Sequence, residues 1–163
     1  MESDTVVLIT SDGAHVAVSK AFVAMSGVLS FYEDRAEIDV PKVSKLDIDL
    51  IAEYLDYHCY MAPRPITKPL SSERIEDAVE YPWDAEFVNR LEECTLIDLA
   101  NASNYLDVAC VFDLCCAKIA TLFKGKKVEE LKERYNIQED LTPEMEEQIL
   151  KENPWITSDS ANP

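Results

Sequence analysis

Residues 94–126 read CTLIDLANASNYLDVACVFDLCCAKIATLFKGK and hold the longest apolar run of helical period in the chain. From Asp107 to Phe123, Val108, Val111, Phe112, Cys115, Ile119 and Leu122 recur at helical spacing. Leu114, Cys116, Ala120 and Phe123 widen that stripe until only Asp113, Lys118 and Thr121 interrupt it strongly. A helix apolar nearly all round is either buried in its own domain or covered by a partner. A membrane span needs about 20 consecutive apolar residues, and this run, broken by Lys118, is too short and too polar. Thr95, with Asp98 three residues on, predicts the N-cap of one helix. Asp107 is expected to cap the apolar helix and Gly125 to stop it.

On the N-terminal side, Thr5–Thr10 (TVVLIT) and Ala14–Ser19 (AHVAVS) are β-branched runs separated by Ser11-Asp12-Gly13, a hairpin signal. Ser19 caps a short helix around Lys20–Met25. Ser26-Gly27 breaks it, Val28–Asp34 is expected to resume helix, and Glu37–Val40 alternates as a third strand ended by Pro41. Ser44 and Asp47 resemble a capping box for a helix reaching about Tyr60, with Leu46, Leu50, Ile51, Tyr54 and Leu55 on one face. Residues 61–81 carry Pro63, Pro65 and Pro69 and then Glu73, Glu76, Asp77 and Glu80, the composition of an exposed, flexible spacer. Trp83–Arg90 reads as a short helix, with Trp83 and Phe87 spaced for packing.

Beyond Gly125 the apolar edges narrow. Val128–Tyr135 is a charged helix bearing Val128, Leu131 and Tyr135. Thr142-Pro143-Glu144 opens a last helix with Met145 and Ile149, and Pro154 stops it near Asn153. Trp155-Ile156 then follows with nothing further in the chain to cover it, which calls for back-packing or a partner.

Composition narrows the function. A chain of 163 residues suffices for one domain with a small extension. Thirty-two acidic against 15 basic residues give a formal charge of -17, which repels nucleic-acid phosphate and anionic membranes and favours a protein partner with basic patches. Three glycines leave no phosphate-cradling loop, so no nucleotide cofactor is expected. Five cysteines without a Cys-x-x-Cys pair, and no leader-like opening, predict a reduced protein of the cytoplasm or nucleus. Cysteines on the apolar helix read as small hydrophobes. His15 and His58 belong to no nucleophile or metal motif, and adjacent Cys115 and Cys116 diverge by about 100° on a helix. No catalytic residue, metal site or cofactor is therefore assigned. Thiol chemistry at Cys115-Cys116 is the enzymatic alternative and would need depressed thiol pKa values.

Several pieces in order resemble one family. They are Ser11-Asp12-Gly13, Trp83-Asp84 with Phe87-Val88, Leu99–Asp107 (LANASNYLD), Lys124-Gly125-Lys126, Tyr135-Asn136-Ile137, Asp140–Glu144 (DLTPE) and Lys151–Trp155 (KENPW). Across nearly the whole chain this series is similar to the Skp family, the adaptor subunit of SCF (Skp, cullin, F-box) ubiquitin ligases. The resemblance implies an α+β class and a BTB/POZ fold over 1–123, with a helical extension over 124–163 that completes an F-box-binding surface. It implies a non-catalytic adaptor between F-box proteins and a cullin, without nucleic acid or membrane. Carried over residue by residue, F-box contact falls on Cys116, Ile119, Phe123, Leu131, Ile137, Leu141 and Trp155, and cullin contact on Asn104 and Tyr105. It also implies a weak homodimer when the chain lacks an F-box protein. Pro143 matches a proline that is hydroxylated and glycosylated in some protist members. The chain departs from the family at Lys126–Glu130, where a capping Thr and a first-turn Pro are lost, and at Pro154, where glutamine is common. An F-box-binding subunit of a non-ligase complex is the alternative, disfavoured by the intact Asn104-Tyr105.

Overall fold

The computed structural model describes residues 5–138 and 142–154. Strands β1 (Thr5–Thr10) and β2 (His15–Ser19) pair antiparallel with Val7 opposite Ala17. β3 (Glu37–Val40) joins the other side of β1 in parallel, with Leu8 opposite Ile38. The order β2-β1-β3 puts β1 in the middle, and alternation turns Val6, Leu8 and Thr10 inward. Gly13 takes φ 75° in the hairpin turn, a conformation glycine adopts without a Cβ penalty. The Asp12 carboxylate accepts from the backbone N–H of Lys45 at 3.2 Å, pinning the hairpin to the start of a helix.

That helix, α2 (Lys45–Tyr57), follows α1 (Lys20–Ala24) and a single 3-10 turn over Leu29–Tyr32, where a longer helix is predicted from sequence. α2 opens on a true capping box: the Asp47 N–H donates to Ser44 Oγ at 3.2 Å and the Ser44 N–H to Asp47 Oδ2 at 3.0 Å. Its inner face is Ile48, Leu50, Ile51, Tyr54 and Leu55, whereas Leu46, expected inside, is 55% exposed. Each large apolar side chain buried there is worth about 1.5–3 kcal/mol.

α3 (Pro82–Asn89), α4 (Glu93–Leu106) and α5 (Ala109–Phe123) complete an α+β unit of the BTB/POZ kind. Two helix starts differ from their sequence signals. Glu92, not Thr95, is the N-cap of α4. Asp107 does not cap α5; it ends α4 in the left-handed region at φ 54°, and Val108 begins α5 without a side-chain cap. The reason is tertiary. The Val108 N–H donates to Ser103 O at 2.8 Å and the Asp107 N–H to Asn104 O at 3.1 Å, the paired bonds of a Schellman end. The freed Asp107 carbonyl then accepts from the Gly27 N–H at 3.0 Å, and Ser26 Oγ donates to Leu106 O. A Cβ on Gly27 would lie 1.9 Å from Asp107 Oδ2, so only glycine permits this approach without displacing Asp107.

Most of residues 61–81 is exposed, as expected of a solvated spacer, but the segment is anchored at a few apolar points. A 3-10 turn, Ile75–Asp77, buries Ile75, and Ile66, Leu70, Ala78 and Val79 pack partly against the core. Sparse apolar residues among prolines and acids anchor this segment, and average composition conceals them.

By compactness the chain divides into Met1–Gly125 and Lys126–Pro163. In the second unit, α6 (Val128–Arg134) ends in another Schellman pattern, with Asn136 at φ 50° and the Ile137 N–H donating to Lys132 O at 2.9 Å. α7 (Pro143–Glu152) is capped by Thr142, whose Oγ1 accepts from the Met145 N–H at 3.3 Å. Neither helix buries a residue among those described.

Candidate functional site: an apolar groove and a helix corner

α5 is two-sided. Val111, Leu114, Cys115 and Ala117 are buried, while Cys116 and Ile119 are half-buried, Ala120 is exposed and Phe123 is 43% exposed. Positions 116, 119, 120 and 123 fall on one stripe of a 3.6-residue helix. The apolar excess seen in sequence therefore resolves into a core face and an outward face.

Along that outward face runs a groove of about 420 Å³, walled by Cys116 and Ala120 on one side and by Ile66, Pro69 and Leu70 on the other. Lys124 and Lys68 are its charged lining residues, and Lys68 Nζ reaches Asp113 Oδ1 on α5 at 2.8 Å, holding the 66–70 wall in place. Of the residues assigned from sequence, Cys116 lines the groove. Ile119 packs partly on the core, and Phe123 lies on the same stripe one turn on. Leu131 and Ile137 belong to the second unit, the first half-buried and the second 52% exposed at the capped end of α6. Leu141 and Trp155 lie outside the described residues. The groove wall from Ile66, Pro69 and Leu70 has no signal in the sequence beyond isolated apolar residues in a proline-rich stretch.

The last turn of α4 forms a separate corner. Asn104 is exposed and Tyr105 half-buried, with Lys42 Nζ 5.6 Å from the Tyr105 ring centre. Because Leu106 and Asp107 are hydrogen-bonded to Ser26, Gly27 and Val28, this corner is fixed to the sheet side of the fold.

Thiol chemistry finds no footing at Cys115 and Cys116. Burial pushes the Cys115 thiol up to about 12. Cys116 is also raised, by burial and then by Asp113, against the opposing pull of Lys68. A reactive thiol needs the reverse shift. Among the described residues no group of three or more His, Cys, Asp or Glu side chains is placed to hold a metal ion.

One polar pair escaped sequence reasoning. His58 Nε2 lies 2.7 Å from Asp84 Oδ1, both side chains about 5% exposed or less. Around them, Trp83 stacks on Tyr57 at 3.9 Å and on Phe87 at 5.2 Å. The pair locks the end of α2 to the start of α3 inside an aromatic shell. It ties two helices together: burial raises the Asp84 carboxyl, and its hydrogen bond to His58 opposes the rise.

The family model described as Skp1 family, dimerisation domain, matches residues 111–156. The S-phase kinase-associated protein 1 homolog of Tetrahymena thermophila is 40% identical over 119 residues, 73% of this chain and 71% of that protein. SKP1-like protein 12 of Arabidopsis thaliana is 33% identical over 156 residues, covering 95% of this chain and 98% of the relative. The SCF ubiquitin ligase complex protein SKP1a of Dictyostelium discoideum is 32% identical over 158 residues, 94% and 96% respectively. With identity of this extent across nearly the whole of its relatives' lengths, the chain belongs to the Skp1 family.

Proposed function

We propose that the chain is a non-catalytic adaptor of an SCF-type cullin-RING ubiquitin ligase, holding an F-box substrate receptor and a cullin in one assembly. The observation that carries this reading is α5's open apolar stripe with its groove, set on a helix hairpin whose other corner presents Asn104 and Tyr105. A surface of this kind suits an apolar helical partner, and the Dictyostelium relative is by name a protein of an SCF ubiquitin ligase complex. In this reading F-box proteins are held by Cys116, Ile119 and Phe123, with Leu131, Ile137, Leu141 and Trp155 of the 124–163 extension completing the seat. The cullin takes Asn104 and Tyr105. The BTB/POZ unit of residues 1–123 is the platform. In the absence of an F-box protein, the same apolar surface pairs weakly with a second copy. The adaptor works in the cytoplasm and nucleus, and Pro143, at the first position of α7, is open to the modification carried by some relatives.

Purification from its own cells tests this directly. Recovery of both a cullin and F-box proteins is expected, and absence of both would sink the reading. Asn104→Ala with Tyr105→Ala should then release the cullin while sparing the F-box protein, whereas equal loss of both would signal a folding defect.

A further inference from the structure

The end of α2 meets the start of α3 in a series of stacked groups whose last member is open. Arg90 lies 5.0 Å from the Phe87 ring centre, Phe87 5.2 Å from Trp83, and Trp83 3.9 Å from Tyr57 with the two planes 7° apart. At one end the Arg90 guanidinium is held twice, by the Phe87 ring and by Glu53 at 2.5 Å. At the other end Trp83 covers one face of Tyr57, yet Tyr57 is 46% exposed. Among the described residues no cation lies over it. Tyr81 (41% exposed) and Met61 (69%) widen the surface. The His58 ring lies 5.1 Å from both Tyr57 and Tyr81, and the Met61 N–H donates to His58 O at 3.0 Å. Single exposed apolar residues need no explanation, but three gathered around one buried ring form a patch. The buried His58–Asp84 bond beneath holds that patch as a rigid shelf.

Charge states what would cover it. Residues 46–63 and 75–89, which build the shelf, hold four and five acidic residues and no lysine or arginine. Of the basic residues next outside these stretches, Arg74 and Arg90 are spent on Glu76 and Glu53, and Arg64 lines a cavity against α5. Glu80 precedes Tyr81, and Glu86 lies one turn along α3 from Trp83. Both are exposed, and among the described residues neither forms an ion pair. An open ring face inside a negative field attracts a cation and repels an acidic segment. The guanidinium is planar and weakly hydrated, so it stacks on such a face better than an ammonium does. Arg90, gripped between a ring and a carboxylate, shows the same arrangement completed within the chain.

We infer that this shelf is a further docking surface, for an arginine-bearing segment of a partner protein. An arginine of that segment lies on the open face of Tyr57, with Glu80 and Glu86 opposing its charge. None of Tyr57, Met61, Tyr81 and Trp83 lines the groove beside α5, and none belongs to the Asn104 corner. The inference therefore stands apart from the adaptor reading.

The test titrates the full chain onto short labelled peptides of alternating alanine and arginine, or alanine and lysine, by fluorescence anisotropy at several salt concentrations. The arginine peptide should bind the more tightly. Tyr57→Ala should weaken it about two- to fivefold and remove its advantage over the lysine peptide. Because Tyr57 also packs on Trp83, Tyr57→Leu, which keeps an apolar cover there without a ring face, should give the same result in a chain whose fold thermal melting verifies. Glu80→Gln with Glu86→Gln should weaken both peptides and flatten their salt dependence. Glu146→Gln with Glu147→Gln, the same charge change on exposed positions of α7, should do so much less. F-box and cullin capture should not change in any of these variants. Equal binding of the two peptides, or an arginine preference that survives both Tyr57 variants, overturns the stacking site. Equal loss from the two glutamate pairs reduces binding to attraction by net charge and refutes the shelf.

Discussion

Replacing Ala120 with arginine should separate F-box capture from folding. Ala120 is exposed in the last turn of α5. Arginine is nearly as good a helix former as alanine, and a cation near a helix C-terminus is favoured, so stability should stay within about 0.5 kcal/mol of the parent. In the groove the new guanidinium meets Lys68 and Lys124 and no carboxylate among the lining residues. An apolar segment seated there must strip water from an unpaired charge. Taking the lower range for burying an uncompensated polar group, about 2–3 kcal/mol, the dissociation constant should rise roughly 30- to 150-fold. Calorimetric titration with an F-box segment gives the affinity, and circular dichroism gives the melting temperature. Ala120→Leu, larger but uncharged, should weaken binding much less. Affinity within threefold of the parent for the arginine variant would place the seat elsewhere, and a large drop in melting temperature would mean that Ala120 packs internally.

Other consequences are open to measurement. Asp84→Ala strands buried His58 and should cost about 1–3 kcal/mol, or about 2–4 °C of melting temperature per kcal/mol. Asp84→Asn can keep accepting that hydrogen bond. Because burial raises the Asp84 pKa above its ordinary 3.8, the carboxyl's favourable contribution is complete below 3.8 and fades as pH climbs through the raised folded value. The Asn variant should therefore gain on the parent as pH rises above 3.8 in thermal melts, and a constant gap between the two would refute that sign. Thr142→Ala removes the α7 cap and should lower the stability of that helix by about 1 kcal/mol, read as faster amide exchange at Met145 and its neighbours. In native protein Cys115 should label far more slowly than exposed Cys59 and Cys94, and rapid labelling at neutral pH would contradict its burial. Cys59→Gly, at φ 50°, should raise stability by up to about 1 kcal/mol in chemical unfolding.

What the residues disclosed in advance was mostly local. The capping box at Ser44, the Thr142-Pro143 start and the Asp12-Gly13 turn are short-range chemistry that tertiary structure had no reason to override. Asp107 misled because a short acidic residue suits both an N-cap and a left-handed helix end, and the carbonyls accepting from Ser26 and Gly27 decided between them. Leu46 shows the same limit: periodicity found the stripe of α2 but not its edge. In the candidate site, helical spacing was enough to bring Cys116, Ile119 and Phe123 to one stripe. The opposite wall, Ile66 to Leu70, joins them only through a long-range fold. The His58–Asp84 pair spans 26 residues without a motif, so no local rule could pair them.

The α4–α5 hairpin turns on a single residue, Val108, between the left-handed Asp107 and the first position of α5. The Asn104 corner and the groove face are therefore carried by consecutive helices, with no long linker between them. Lengthening or shortening residues 61–81 would reshape one wall of the groove while leaving the separation of corner and stripe unchanged. In the proposed adaptor the loop would then set the shape of the seat, and the hairpin the spacing between its two contacts.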